Sequence, residues 1–168
     1  MINQYIIIDD KAIETLDVME LLKPLWTVNI YDGKEKYEDD LKPFSIPQRS
    51  VFAIMWYINE VSNGGHLQFY SNSTGIVWED AVKGFKLIGL EEHIRIIEES
   101  IVRFGVRPSF DRQERCNQLK FLALNFHDLD TRFYEAKRSV NLDKQILNYI
   151  KKNSTAFYFE GNVRFQDD

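Results

Sequence analysis

The densest set of side chains that could do chemistry lies between Glu60 and Asn72, in the sequence Glu-Val-Ser-Asn-Gly-Gly-His-Leu-Gln-Phe-Tyr-Ser-Asn. Its amides and imidazole could form a small polar pocket, and the adjacent glycines would let the backbone approach a ligand. Alternatively, the amides bond to backbone groups while the apolar residues between them fill the core. The candidate pocket residues are Asn63, Gly64, Gly65, His66, Gln68, Tyr70 and Asn72.

The histidines and the single cysteine give no sign of a metal site or a nucleophile. His66, His93 and His127 are far apart in sequence, without the His-x-x-x-His or Cys-x-x-Cys spacing that metal sites use. Cys116 falls on an apparent core stripe, where a buried thiol is unreactive by default. The sequence has no phosphate-binding loop and no Gly-x-Ser-x-Gly elbow. It therefore predicts no metal, no cofactor and no catalytic residue, and it leans away from an enzyme.

Carboxylates form a second candidate feature, which we call the acidic segment, residues 32–40. Five of these residues are acidic and two are lysines. The segment is either a solvated loop or short helix, or a contact surface for a basic partner. Its candidate residues are Asp32, Glu35, Glu38, Asp39 and Asp40.

Two further carboxylates, Asp128 and Asp130, could do acid–base work only if they shared a cleft that shifted their pKa values. We expect instead that they form ion pairs joining helix ends, with Arg112, Arg115 or Arg132 as partners.

The element that must position the motif is the apolar segment before it, residues 46–61. Ser45 is a suitable N-cap, and Pro47 suits the first turn, where a missing N–H costs nothing. Apolar residues recur at helical spacing and cover two adjacent faces, which predicts a helix buried on two sides. We expect this central helix to end at Asn63-Gly64-Gly65, with Gly64 as the residue just past its end.

The rest of the chain predicts an all-α fold, a compact single-domain helical bundle around that buried central helix. The stripe from Cys116 to Ala136 is either one long helix or two with a kink near His127. At the termini, Ile6–Ile8 is a small strand or a packing arm, and the aromatic tail after Phe157 allows a short strand. The predicted domain spans residues 1–168, with an N-terminal helix and acidic loop in 1–45 and the motif-bearing helical core in 46–168.

Composition fits one folded domain in a reducing compartment. The 168 residues are 44% hydrophobic and 28% charged, which is ordinary for a globular protein. The net charge of −5 argues against direct nucleic-acid binding, because that requires a basic face. One cysteine permits no internal disulfide, and no signal peptide or membrane-spanning stretch is evident. These features predict a cytoplasmic protein without membrane contact.

The pattern Glu-Val-x-Asn-Gly-Gly-x-x-Gln-Phe-Tyr-x-Asn, which starts at Glu60, resembles the core motif of a bacterial family of domains of unknown function. The named representative of that family is a DNA-mimic protein. The likeness continues through residues 73–81 and the helix that ends at Ile88-Gly89 and, less specifically, through residues 129–134 and 149–150. The resemblance implies a compact helical fold that could form a homodimer and that binds another protein. It brings no catalytic residues.

The charge of the chain limits the length of DNA that the protein could imitate. A 50 Å segment of duplex DNA carries about 30 negative charges, whereas this chain has 26 carboxylates offset by 21 basic residues. A mimic would need its acids on one face, and Asp167 and Asp168 are among the acidic pairs that could join it. We therefore hypothesise a helical protein-interaction module, which as a DNA mimic would bind a DNA-binding protein through an acidic face. The alternative is a small-molecule-binding protein or small enzyme using a polar pocket at Asn63–Asn72.

Overall fold

Helices form most of the structure, as the sequence predicts. The computed structural model describes residues 2–165, so Asp167 and Asp168 lie outside the described residues. The fold is 71% helical, with nine α-helices and one two-stranded antiparallel sheet in the described range. The helices are α1 (Asp10–Thr15), α2 (Val18–Leu21), α3 (Lys34–Leu41), α4 (Ile46–Ser71), α5 (Trp78–Ile88), α6 (Glu91–Val102), α7 (Arg112–Phe121), α8 (His127–Ser139) and α9 (Leu142–Lys152). Single 3₁₀ turns occupy Lys23–Thr27, Ser73–Val77 and Ser154–Phe157.

The sheet joins the two ends of the described chain. Strand β1 (Ile2–Ile8) pairs antiparallel with β2 (Phe159–Phe165), so that Ile6 lies opposite Gly161. The predicted all-α fold with a minor terminal strand is therefore confirmed, and the apolar run at Ile6–Ile8 is part of a strand. The cluster of buried hydrophobic side chains draws on both predicted segments, 1–45 and 46–168.

Helix α4 is the central element and begins where the sequence predicts. The Ser45 hydroxyl accepts a hydrogen bond from the Gln48 backbone N–H, and the Gln48 side chain accepts one from the Ser45 N–H, which completes a capping box. Two faces of the helix are covered, since Val51, Phe52 and Tyr57 are all buried. The N-terminal half of α4 thus follows from local signals alone.

The first, regular part of this helix ends at Asn63-Gly64-Gly65, as the sequence predicts, because both glycines have non-helical backbone angles. A second helical segment follows at once, so the glycines form a kink and α4 extends through Ser71. Gly65 has the left-handed φ of +73°, whereas Gly64 has a φ of −156°. The helix resumes because the backbone N–H of His66 donates to the side chain of Asp130 at 2.8 Å, much as an N-cap residue would accept it. That partner lies 64 residues away, beyond the reach of a local pattern.

Helix α5 packs closely across α4, and α6 runs back along α5. A Cβ atom at Gly84 would lie 2.6 Å from the backbone oxygen of Ser50, so only glycine permits this approach. The ion pairs Lys86–Glu98 and Glu79–Arg107 place α5 and α6 antiparallel. This is one of the two arrangements expected for helices joined by so short a connection.

The stripe from Cys116 to Ala136 forms two separate helices, α7 and α8. Helix α7 ends at Phe121, Ala123 just beyond it has a φ of +47°, and the Leu124 N–H donates to the Leu119 carbonyl at 3.1 Å. This is a Schellman termination, in which the left-handed position is usually glycine. Cys116 is half-buried and not the buried core residue that its spacing predicts, with its Sγ 3.5 Å from the Ser71 carbonyl.

Candidate functional site

A buried carboxylate is the centre of the motif. Glu60 lies on α4 with only 8% of its surface exposed. Its Oε2 accepts hydrogen bonds from the side-chain amides of Gln68, at 2.8 Å, and Asn72, at 3.0 Å. Its Oε1 accepts one from the Thr74 hydroxyl at 2.9 Å. We call these four residues the Glu60 cage.

The donors of the Glu60 cage are all neutral. Within residues 2–165, no lysine or arginine nitrogen lies within 4.0 Å of the Glu60 carboxylate. Buried carboxylates are rare unless a cation pairs with them, because leaving water is costly for an ion. The cage therefore gives Glu60 neutral hydrogen-bond donors, without a direct ion pair in the described residues.

The glycine pair shapes the cage as well as the kink. A Cβ atom at Gly64 would lie 2.1 Å from Oε1 of Gln68, so a side chain there would push Gln68 away from Glu60. The kink also brings the second half of α4 back towards Glu60, which allows residues eight and twelve positions later to meet one carboxylate. The motif thus encodes a positioned carboxylate.

An open cleft of about 240 Å³ leads to this carboxylate. Tyr31 and Trp56 bring aromatic rings to its walls; Tyr31 is 74% exposed and Trp56 is half-buried. Arg112 lies in the same lining, and its Nε donates to the Ser71 carbonyl at 2.8 Å. We call this depression the Glu60 cleft, and the lining residues used below are Tyr31, Trp56, Glu60, Asn72, Thr74 and Arg112.

His66, a predicted pocket residue, lies fully buried in a different network. Its Nδ1 is 2.5 Å from Oδ1 of Asp130, and its Nε2 is 2.6 Å from the hydroxyl of Tyr57. Burial raises the pKa of Asp130, but the hydrogen bonds from His66 outweigh that effect and hold it below its usual range. An ionised Asp130 only accepts, so Nδ1 donates to it, and in a neutral imidazole Nε2 then accepts from Tyr57.

The remaining predicted pocket residues do not share a cavity with His66. Tyr70 is buried, with its hydroxyl 2.7 Å from that of Ser100. Asn63 is exposed and lines a separate, mostly apolar depression of about 460 Å³ beside Met55 and Trp56. Of the seven candidates, the structure brings Gln68 and Asn72 together on Glu60, and Gly64 and Gly65 shape the backbone between Glu60 and Gln68.

Helix α7 holds the C-terminal end of α4. The guanidinium of Arg115 is fully buried and donates to the carbonyls of Tyr70, Asn72 and Ser109 at 2.7 to 2.8 Å, and also to that of Phe110 at 3.2 Å. Burial lowers the pKa of Arg115 to about 10. The bonds to Tyr70 and Asn72 serve carbonyls at the C-terminal end of α4, and those to Ser109 and Phe110 hold the loop before α7.

The arginine partners predicted for Asp128 and Asp130 are wrong. Asp128 pairs with Arg103, whose Nη2 lies 2.5 Å from its Oδ2, and Asp130 bonds to His66. Arg132 instead bridges Glu92 and Glu99. Sequence spacing did not indicate these pairs because they join different helices.

Helix α3 contains most of the acidic segment, so the helix alternative applies to residues 34–41. Three of the five carboxylates pair with lysines on or beside the helix: Lys34–Glu38, Lys36–Asp40 and Lys42–Asp39. With Lys42 included, residues 32–42 have five carboxylates and three lysines, a net charge of −2. Tyr37 anchors the helix from beneath, since it is 2% exposed and its hydroxyl donates to Asp80 at 3.0 Å.

A family described as DMP19-like protein matches residues 42–153, about two-thirds of the chain. The chain belongs to the DMP19-like family. DMP19 is a DNA-mimic family, in agreement with the resemblance noted from the sequence. The match includes the Glu60 cage and begins just after α3. No curated protein and no solved structure matches the chain.

Two further properties of this DMP19-like chain concern metal binding and membrane insertion. In the described range, no three His, Cys, Asp or Glu side chains group in a way that could hold a metal ion. None of the helices between residues 2 and 165 combines the length and apolar character needed to cross a bilayer.

Sequence reasoning missed the carboxylate that the motif at residues 60–72 positions. Glu60 begins the pattern, but the candidate residues were the amides and glycines that follow it. A signal was present: Trp56 and Glu60 are four residues apart and therefore share a helix face. Tyr31 and Arg112 join the same cleft from distant positions, and no local pattern indicates that contact.

Proposed function

We propose that this DMP19-like protein is a protein-interaction module that imitates DNA locally and binds a basic, DNA-binding protein through the acidic segment on α3. Family membership carries the proposal, because DMP19 is a DNA-mimic family. The surface that supports it is α3, where Glu35, Glu38 and Asp39 are exposed to solvent while Tyr37 holds the helix in place.

The charge on α3 limits the extent of the imitation. Eight residues of helix span about 12 Å, and 12 Å of duplex DNA carries about 7 negative charges. Residues 32–42 have a net charge of −2. We therefore expect a local contact with a basic patch, not the imitation of a long duplex.

The lysine pairs on α3 do not prevent that contact. Lys34, Lys36 and Lys42 are all exposed, and ion pairs between exposed groups contribute little and are screened by salt. An arginine from a partner could replace a lysine at Glu38 or Asp39 with a two-pronged hydrogen bond that lysine cannot make.

A ligand pocket or small enzyme site at Asn63–Asn72 has less support. Asn63, His66 and Gln68 have separate surroundings: an apolar depression, Asp130 and Glu60, respectively. A cytoplasmic location and homodimer formation stay predictions from the sequence and the resemblance.

The test is capture from native lysate of the source organism with the immobilised protein, followed by elution with duplex DNA. Two matched triple variants separate local from general charge effects. One is Glu35→Gln/Glu38→Gln/Asp39→Asn on α3. The other is Glu91→Gln/Glu135→Gln/Asp143→Asn, which removes three exposed carboxylates elsewhere.

We expect a DNA-binding protein to be captured by the wild type and by the second variant, lost with the α3 variant, and displaced by DNA. A partner that remains bound in excess DNA, or that is lost equally with both variants, would contradict the proposal.

A further inference from the structure

We infer that the Glu60 cleft is a receptor for one arginine side chain of the basic partner. The inference rests on the proposed function, which supplies a partner rich in basic residues. It adds the position at which one guanidinium is recognised, and that position is separate from α3.

Glu60 has the unused capacity that such a ligand needs. A carboxylate offers about four acceptor positions on its two oxygens, and Gln68, Asn72 and Thr74 fill three. All three donors are neutral, and Arg112 in the same cleft bonds to the Ser71 carbonyl, so one acceptor position of Glu60 is left for a ligand. A cation entering the cleft would form a hydrogen bond and an ion pair at once, and such bonds are stronger than neutral ones.

The walls of the cleft favour a guanidinium. Tyr31 and Trp56 are aromatic, and cations bind over aromatic faces, with tryptophan the best of them. Arginine stacks on such rings through its flat guanidinium and loses water more readily than lysine. At about 240 Å³ the cleft lies below the range of about 300–1,000 Å³ typical of sites for drug-sized ligands. It therefore suits a single side chain better than a cofactor.

Arg112 is positively charged, so its removal should change the affinity for a cation and for an anion in opposite directions. Its Nε bonds to the Ser71 carbonyl, and its guanidinium makes no ion pair with Glu60. If the ligand is a cation, Arg112 repels it and replacing Arg112 with glutamine should strengthen binding. If the cleft took an anion instead, the same substitution would abolish binding.

The cleft borders the acidic segment. Tyr31 lines the cleft and the next residue, Asp32, begins the acidic segment. A partner arginine in the cleft would therefore lie beside the start of the acidic segment. The two surfaces share no residue, so they can be tested separately.

The experiment uses the full chain labelled with ¹⁵N and two small probes, Nα-acetyl-L-arginine amide and Nα-acetyl-L-citrulline amide. Citrulline has nearly the shape of arginine but no charge. The signals followed are the indole N–H of Trp56 and the side-chain amides of Gln68 and Asn72. We expect the arginine probe to shift them in a saturable way and the citrulline probe to leave them unchanged.

Four variants test which side chains of the cleft bind the arginine probe. Glu60→Gln should abolish the shifts, Tyr31→Ala should weaken binding about two- to fivefold, and Arg112→Gln should strengthen it. Glu91→Gln, an exposed carboxylate elsewhere, is the control and should bind like the wild type. Tyr31→Ala keeps the test valid if Glu60→Gln unfolds the protein, because Tyr31 is 74% exposed.

Equal shifts with both probes, binding unchanged by Tyr31→Ala, or binding lost with Arg112→Gln would each overturn the inference. Failure of the proposed function looks different: no DNA-displaceable partner is captured, although the arginine probe still shifts the cleft signals. Conversely, a partner that depends on α3 but not on Tyr31 or Glu60 would leave the proposed function intact and remove the arginine site.

Discussion

One oxygen of Asp130 accepts two hydrogen bonds from His66, from the backbone N–H at 2.8 Å and from Nδ1 at 2.5 Å. A single carboxylate on α8 therefore satisfies the first free N–H after the kink of α4 and fixes the orientation of the imidazole. The contact depends on Gly65, since a Cβ atom there would lie 2.4 Å from Oδ2 of Asp130. The kink that shapes the Glu60 cage is thus held from another helix.

Replacing Gly65 with alanine tests this position against Gly89, a glycine in open space. Both have positive φ angles, +73° and +79°, but Gly65 has a ψ of −176°, in a region almost restricted to glycine, whereas Gly89 is in the left-handed helical region. Nothing lies within 4 Å of a Cβ built at Gly89, so Gly89→Ala should cost only the left-handed backbone penalty, about 1–2 kcal/mol. Gly65→Ala should cost about 1–3 kcal/mol more, because its backbone angles disfavour a side chain and the new methyl meets Asp130. Urea unfolding of both variants measures the difference, and equal losses would show that Asp130 does not depend on Gly65.

Acid should destabilise the fold through His93 before it affects the carboxylates. Burial lowers the pKa of His93, although the charge of Glu92 opposes the effect, and its Nε2 has no hydrogen-bond partner in the described structure. The unfolded chain takes up this proton near pH 6.5 while the folded protein resists it. The free energy of unfolding should therefore fall as the pH falls through about 6.5.

The check is urea unfolding at pH 7.5 and 5.5 for the wild type, His93→Phe and His127→Gln. Phenylalanine can keep the stacking of His93 on Phe85, and the stability of His93→Phe should depend less on pH over this interval. His127→Gln removes an exposed histidine as a control. If the wild type and His93→Phe lose the same free energy between these two pH values, His93 is not the cause.

Local signals predicted the start of α4 well, and non-local contacts explain what they missed. Ser45, Pro47 and Gln48 act within one turn, so their pattern fixes the N-terminus of the helix. The kink at Gly65 needs Asp130, and the strand at Ile6–Ile8 needs residues 159–161. Two consecutive glycines are compatible with a helix end and with a kink, because both use a positive φ at one of them.

The Glu60 cage shows that even a short sequence pattern does not reveal which groups its side chains bind. All its members lie within fifteen residues, yet the pattern of amides did not indicate what they bind. Gln68 and Asn72 were read as groups that cap the backbone or line a pocket, whereas they hold a side chain earlier in the same helix. A carboxylate on the face of a helix that is otherwise buried was the available signal. The contribution of Tyr31 to the cleft depends on how residues 22–33 pack, which composition does not reveal.

The buried guanidinium of Arg115 should be among the most sensitive positions of the fold. It serves three carbonyls at 2.7 to 2.8 Å, and lysine cannot reach all three from one nitrogen. Arg115→Lys should lower the free energy of unfolding by about 2–4 kcal/mol, since each buried carbonyl left unpaired costs about 1–3 kcal/mol. Arg112→Lys is the control, because Arg112 is exposed and serves one carbonyl. Similar small losses in chemical denaturation for both variants would show that the carbonyls find other partners.

The end of α7 offers a substitution that should stabilise the protein. Ala123 has a φ of +47° in the position where a Schellman termination favours glycine, and it is exposed, so no packing contact would be lost. Ala123→Gly removes the left-handed penalty of about 1–2 kcal/mol but gives the unfolded chain more freedom, worth about 0.4–1 kcal/mol. We expect a net gain of about 0.5–1 kcal/mol, seen as a higher urea midpoint with an unchanged slope. The matched control is Ala12→Gly within helix α1, where glycine should cost up to about 1 kcal/mol. The two substitutions make the same chemical change, so opposite signs would tie the gain to the backbone angle at Ala123, and a loss at both positions would refute that explanation.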